Sequence, residues 1–366
     1  MGKEIVTQEL SSKDKIIQMT SAYDWWVQNE GVPIIKGYFV EDINKVPVEP
    51  WHRKGGLGAF INLIGHERTN DAYICVIPPG KSLKIQKHLY EEMVLVLEGE
   101  GKTDVFDEAG SKQTFEWRAW DLFSIPLNFK YQHHNRRKDK PVKYLAVTTA
   151  PLVIGLFHNT DFVFNNNFVF KDRYNGEQNY FKSKGTLHDV GYKVWESNFI
   201  PNVRKMELYD WKGRGEGGAV MLEIAENTLT AHIAEFEVGT YKKAHRHGGG
   251  ANIITLSDTG YTLMWSKGQP KMKIDWQVGT LMVPPQNWFH QHFNTGKEPA
   301  RYMALRWKSR KYPMWGGILT DSYKNIKEGG TQIEFEDEDP EIRNMYRKEL
   351  AKVGAEWRMS KYFPSK

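Results

Sequence analysis

Residues 80–101 read GKSLKIQKHLYEEMVLVLEGEG, and residues 239–260 read GTYKKAHRHGGGANIITLSDTG. A constant offset of 159 positions lays one over the other, pairing Gly80 with Gly239, His88 with His247 and Gly101 with Gly260. The same offset, without a gap, pairs Pro126 with Pro285, Asn128 with Asn287, His133 with His292 and Asn135 with Asn294. Coincidence does not produce that series. The chain is an internal duplication of one unit of roughly a hundred residues, a common domain size.

The periodicity inside each copy is that of strands. YICVIPPG (73–80), EMVLVLEGEG (92–101) and DLFSIPLN (121–128) are short β-rich runs ended by Gly, Pro or Asn. The second half offers IAEFEVG (233–239), NIITLSDTGYTLMW (252–265) and TLMVPPQN (280–287). Many short strands broken by turn residues predict an all-β sandwich or barrel. Helical patterns are confined to the margins, chiefly DPEIRNMYRKELAKVGAEWRMSKY at 339–362. The acidic run EFEDEDPEIR leads into that helix and suits its N-terminus.

Composition excludes several classes of function. The 366 residues carry a net charge of +5, but the basic clusters are short and far apart, HNRRKDK at 134–140 and KSRK at 308–311. A nucleic-acid binder gathers its charge on one face, so no nucleic-acid partner is expected. No apolar run is long enough to span a bilayer, so no membrane is expected either. MGKEIVTQELSSKDKIIQM has neither the apolar core of a secretory signal nor the myristoylation pattern. Cys75 is the one cysteine, which excludes an intrachain disulfide and fits a reducing cytoplasm.

His245 and His247 stand one residue apart ahead of a strand-like run, so on an extended chain they share a face. The two copies resemble the cupin superfamily. Its first motif is a glycine, a His-X-His pair, a glutamate and a second glycine. The first copy matches at Gly80, Gln86, His88, Glu92 and Gly99, the second at Gly239, His245 and His247. Its second motif is matched by PLNFKYQHHN (126–135) and PQNWFHQHFN (285–294), with Asn where the family has Gly. The resemblance implies two tandem cupin (double-stranded β-helix or jelly-roll) barrels with short flanking helices. The expected division is an extension at 1–56, a first cupin at 57–150 and a structured linker at 151–213. A second cupin follows at 214–325, then a tail with a helix at 326–366.

It also implies a metal site in the second copy, with His245, His247 and His290 as ligands. The family's glutamate position falls at Ala251 or Asn252, so the set is three neutral imidazoles. In that respect the second copy resembles gentisate-type ring-cleaving dioxygenases, whose first motif reads His-Arg-His and whose iron has only histidine ligands. Those enzymes usually carry the working site in the N-terminal cupin, and here it is C-terminal. Fe(II) is the expected metal, with Zn, Mn or Ni as alternatives. Three neutral ligands leave the divalent charge uncompensated and several positions open, which suits an anionic chelating acid and O₂. The expectation is a cytoplasmic homo-oligomer, dimer or tetramer, acting in aromatic-compound catabolism.

His292 lies two residues after His290, and three roles stay open for it: acid–base catalysis, structure, or a competing ligand. The first copy offers Gln86, His88, Glu92 and Tyr131 at the ligand positions, a vestigial site at most. Arg306 is a candidate carboxylate clamp. Tyr261, Trp265 and Trp288 are candidates for the pocket mouth, although core packing is the commoner use of such aromatics.

Overall fold

The computed structural model describes residues 20–182, 184–313 and 323–363; the N-terminal stretch read above for a leader lies outside them. The fold is two tandem antiparallel barrels, each a large sheet facing a three-stranded one. In the first barrel the large sheet is centred on Asp71–Ile77, Val142–Thr148 and Glu92–Glu98, all but one of whose core-strand residues in EMVLVLE are buried. The small sheet is Lys130–Asn135, Glu100–Phe106 and Lys112–Arg118. The second barrel repeats this with Leu229–Phe236, Ala300–Trp307 and Asn252–Thr255 facing Phe289–Asn294, Gly260–Trp265 and Met272–Trp276.

Register follows the duplication residue by residue. Asn135 pairs with Gly101, which pairs with Trp117; Asn294 pairs with Gly260, which pairs with Trp276. Each glycine exists because a tryptophan ring lies where its side chain would be. A Cβ on Gly101 would meet Trp117 at 2.2 Å, and one on Gly260 would meet Phe293 O at 2.2 Å and Trp276 at 2.5 Å. The asparagines that replace the family's glycine, Asn128 and Asn287, have φ of 63° and 62°. Asparagine is among the few side chains that tolerate the left-handed region, so the turn survives the exchange.

The repeat extends further toward the N-terminus than the offset of 159 reveals. With a one-residue shift, Phe39, Ile43, Trp51 and Lys54 match Phe199, Val203, Trp211 and Arg214. Each copy sends one short strand into the other barrel. Phe39–Val40 pairs with Leu281–Met282 of the second barrel, and Phe199–Ile200 pairs with Leu122–Phe123 of the first. Ile43 N donates to Gly279 O and Val203 N to Trp120 O, both at 2.9 Å, so the exchange is reciprocal in detail. The segments named as extension and linker thus supply edge cover to the sheets, which edge strands require.

The C-terminal helix runs Pro340–Val353, shorter than the periodic pattern to residue 362 predicts. Asp339 caps its N-terminus by accepting from Glu341 N at 3.0 Å, and Gly354 stops it with φ of 67°. Ile342, Tyr346 and Leu350 are buried against Tyr241, Tyr261 and Phe293 of the second barrel. Tyr346 Oη donates to Asn294 O at 2.6 Å, which ties the helix to the small sheet. Among the described residues no helix is long and apolar enough to cross a membrane.

Gly260→Ala is expected to destabilise the chain by about 1–3 kcal/mol, the usual cost of forcing volume into a packed interior. Urea unfolding reads this, and an unchanged midpoint would show that the tryptophan does not set the glycine.

Candidate metal centre

The loop after Leu229–Phe236 and the strand Phe289–Asn294 meet through a two-way backbone bridge. His245 N donates to His290 O at 3.1 Å, and His290 N donates to His245 O at 2.9 Å. This brings both side chains to one point, and the HRH alternation adds His247 on the same face. The ring centroids of His245 and His290 are 4.2 Å apart, and those of His247 and His290 are 4.7 Å apart. One ring nitrogen from each of the three histidines lies within 4.8 Å of the others, a spacing that could hold a metal ion.

The tautomers are set for ligation. His247 Nδ1 contacts Gly248 O at 2.7 Å, His245 Nδ1 contacts Lys243 O at 3.2 Å, and His290 Nδ1 faces Trp288 O at 3.5 Å. A carbonyl can only accept, so each Nδ1 carries the proton and each Nε2 keeps its lone pair for a ligand. Burial first holds all three imidazoles neutral, followed by Arg306 at His247, Arg214 at His245 and the neighbouring histidines at His290. His247 falls to about 3, with Arg306 its foremost cationic neighbour, while His245 and His290 lie well below the usual range.

These histidines open into a pocket whose charge is one-sided. Arg214, Arg306, Lys308 and Arg310 line it together with His232 and Tyr302. Among the described residues that line it there is no Asp or Glu. Arg306 and Lys308 face inward because Ala300–Trp307 alternates, with Tyr302, Ala304 and Arg306 on the pocket side. Strand parity, unreadable across the loop before it, is settled by the pairing of Arg306 with Thr230. Arg310 is the exception in charge, since Glu223 accepts from its backbone N at 2.9 Å and approaches its guanidinium at 3.6 Å.

His292 lines the same pocket, yet its Nδ1 is held 2.8 Å from Thr262 Oγ1, to which Trp276 Nε1 donates at 3.1 Å. The first barrel contains the same three groups, His133, Thr103 and Trp117, at 2.7 Å and 2.7 Å. A trio kept in a barrel without the three histidines supports the structural role over the catalytic one. The three aromatic candidates stand elsewhere. Tyr261 and Trp265 point to the outer face of their strand, stacked on Phe293 and Phe289 beneath the C-terminal helix, while Thr262 and Met264 turn inward. Trp288 packs on Tyr38, 5.6 Å between centroids. None of the three lines the pocket. Arg214, His232, Tyr302, Lys308 and Arg310 are among the pocket residues that sequence reading missed, and the retained spacing from Trp51–Lys54 to Trp211–Arg214 is the signal that identifies Arg214.

In the first barrel the corresponding space is filled from within. Lys54, fully buried, donates to Tyr73 Oη at 2.6 Å and lies 3.7 Å from Glu92. Glu92 also accepts from Tyr73 at 2.5 Å and from Tyr131 at 2.9 Å, and Tyr131 Oη contacts His88 Nε2 at 3.0 Å. Gln86 is turned away to accept from Arg53 at 2.9 Å. An ammonium thus supplies the positive charge beside the motif glutamate, and three of the expected vestigial quartet, His88, Glu92 and Tyr131, form a closed hydrogen-bonded cluster without Gln86.

No protein-family model and no curated protein matches this chain. Among solved structures, the oxalate decarboxylase of Lactobacillus farciminis in its formate complex is 13% identical, covering 76% of this chain and 87% of its own, with a TM-score of 0.48. A Bacillus subtilis oxalate decarboxylase, described for its Mn(II) centres, is 14% identical over 75% of this chain and 78% of its own, at 0.47.

Burial pushes the Glu92 carboxyl up, but Lys54, His88 and Tyr73 outweigh it and hold it at about 2. A carboxylate depressed in the folded state adds stability above its unfolded pKa, and that stability is lost as pH falls toward 2. Lys54→Met is expected to cost about 3–5 kcal/mol near neutral pH by stranding Glu92. The cost should shrink as pH falls, starting above 4.5, because burial raises the Glu92 carboxyl once Lys54 is gone, and ending at about 2, where Glu92 is protonated in the parent as well. Chemical denaturation at several pH values measures both, and a pH-independent cost would remove the ion pair from the account.

Proposed function

We propose that the chain is a metal-dependent enzyme whose second barrel binds one divalent ion through His245, His247 and His290. In the reading favoured here the ion is Fe(II) and the reaction is a dioxygenase cleavage of a C–C bond in a small chelating acid, a hydroxy-aromatic acid or an enolisable dicarbonyl. The observation that carries it is three neutral imidazoles, each with its Nδ1 turned to a carbonyl or facing one, opening onto a cavity where Arg214, Arg306 and Lys308 bond no carboxylate among the described residues. Bound iron supplies the one-electron chemistry with O₂ that side chains lack. The chain's own groups do the rest. The backbone bridge between His245 and His290 fixes the ligand positions, and the cavity wall limits water. Arg306 and Lys308 draw an anionic substrate toward the histidines.

His290→Ala is expected to abolish both iron content and O₂ uptake, read by mass spectrometry of the metal and an oxygen electrode. His292→Gln should keep the iron, because its structural partner is Thr262. Full turnover in His290→Ala would defeat the proposal.

A second reading keeps the metal and drops oxygen. What favours it is Lys308, whose ammonium burial first, then Arg306, Arg310 and Arg214, pull down to about 7, giving the pocket one group able to exchange a proton near neutrality. Turnover that persists without O₂ and is lost in Lys308→Met would select this lyase or isomerase reading over the dioxygenase.

A further inference from the structure

The two barrels make an internal comparison. Lys54 O accepts from Lys84 N at 2.8 Å, and Arg214 O accepts from Lys243 N at 2.9 Å, so these two basic residues hold the same place on the same backbone frame. Each is buried inside its barrel. In the first, the counter-charge is Glu92. The offset of 159 puts Ala251 in that position, buried and on the pocket wall. Arg214 keeps one neutral partner, donating to Gln332 Oε1 at 3.0 Å, and rests over the Tyr323 ring at 4.8 Å. A buried guanidinium beside a deleted carboxylate is a site that calls for an external carboxylate, because an uncompensated buried charge is strongly unfavourable.

A second pole has been added in the same barrel. Strand pairing sets Arg306 opposite Thr230 where the first barrel sets Thr148 opposite Asp71. Arg306 and Lys308 are therefore cations that the first copy lacks at these places. No carboxylate is bonded to either among the described residues. Arg306 lies level, through Thr230, with Glu223 near the C-terminal end of Gly218–Ile224, whereas Arg214 precedes the N-terminal end of that strand, so the two poles reach the pocket from opposite ends of it.

We infer that the ligand of this pocket is a small acid with two separate anionic groups, one seated on Arg214 in the place of the missing glutamate and the other on Arg306 and Lys308. This rests on the reading that the pocket beside the histidines is the reaction site, and it narrows the substrate to diacids. A monoacid would leave one pole unpaired. Arg214 is then a specificity residue, offering its fork to a carboxylate in a dry site where charge-assisted bonds are strongest.

The test is calorimetric titration of the full-length chain, as purified, with glutarate, succinate and butyrate at one ionic strength, with metal content measured on the same sample. The expected result is glutarate or succinate binding at least tenfold more tightly than butyrate, with Arg214→Met and Arg306→Met each removing most of that difference. Ala251→Glu provides a variant that adds rather than removes a partner. Its carboxylate should occupy Arg214 as Glu92 occupies Lys54, lowering diacid affinity at least tenfold without lowering the unfolding temperature. Equal affinity for butyrate and both diacids overturns the inference, as does a diacid affinity unchanged in Ala251→Glu. A sample that holds metal but shows no preference for diacids removes the inference and keeps the metal reading. A metal-free sample that prefers diacids does the reverse.

Discussion

A positive charge at the heart of each barrel has to be balanced, and the interior of each copy is organised around how that is done. The turn after a tryptophan, Trp51 in one copy and Trp211 in the other, drives a basic side chain inward, Lys54 or Arg214. In the first barrel Glu92 answers it directly, and Tyr73, Tyr131 and His88 join the pair into a closed cluster. Nothing is left to recruit. Replacing Glu92 by its counterpart Ala251, and Tyr131 by His290, leaves the second barrel with three lone-pair donors and a cation, Arg214, that bonds no carboxylate among the described residues. One frame therefore yields a sealed core in one place and a histidine-lined cavity in the other.

The sealed copy still matters to the open one. A short strand of each copy is exchanged, so Phe39–Val40 extends the sheet of the histidine-bearing barrel while Phe199–Ile200 extends the other. Further contacts cross in the same direction: His66 Nε2 lies 2.6 Å from Asn252 Oδ1, and Asn70 donates to Gly250 O at 2.6 Å, on the loop that follows His247. The glycine run after the two histidines is thus pinned by the first copy. A Cβ on Gly249 or Gly250 would collide with Glu67 or Thr69 at 2.5 or 2.3 Å. The sealed barrel acts as a rigid support for the loop that carries two of the three histidines.

Much of this was legible in the sequence, because the duplication is written in residues that pack: the Gly, Pro, Asn and His of the two motifs recur at one spacing and occupy matching places. The convergence of His245, His247 and His290 was legible for the same reason. What escaped were relations that need a second segment. Arg214 lies outside the ungapped window by a single-residue shift, so its equivalence with Lys54, faintly written in the shared spacing from the tryptophan, is fixed by the matching backbone bonds to Lys243 and Lys84. The inward direction of Arg306 depends on strand pairing. The aromatics were misdirected for a local reason. On Gly260–Trp265 the odd-numbered residues face the C-terminal helix, and no pattern within the strand tells which face holds the pocket when both are buried.

That double burial explains why the reactive barrel can carry so unbalanced a pocket. Tyr346 of the helix donates to the backbone of Asn294 and Thr240, and Gln291 on the outer side of the strand donates to Glu338 at 2.7 Å. The strand that presents His290 and His292 inward is therefore clamped from outside by a helix the first copy does not possess. Arg214, Arg306 and Lys308 thus line a cavity whose His290 strand is covered on its far face. On the proposed reading a ligand of opposite charge relieves the repulsion among these cations on binding, so anion affinity would follow from how the barrel is held together.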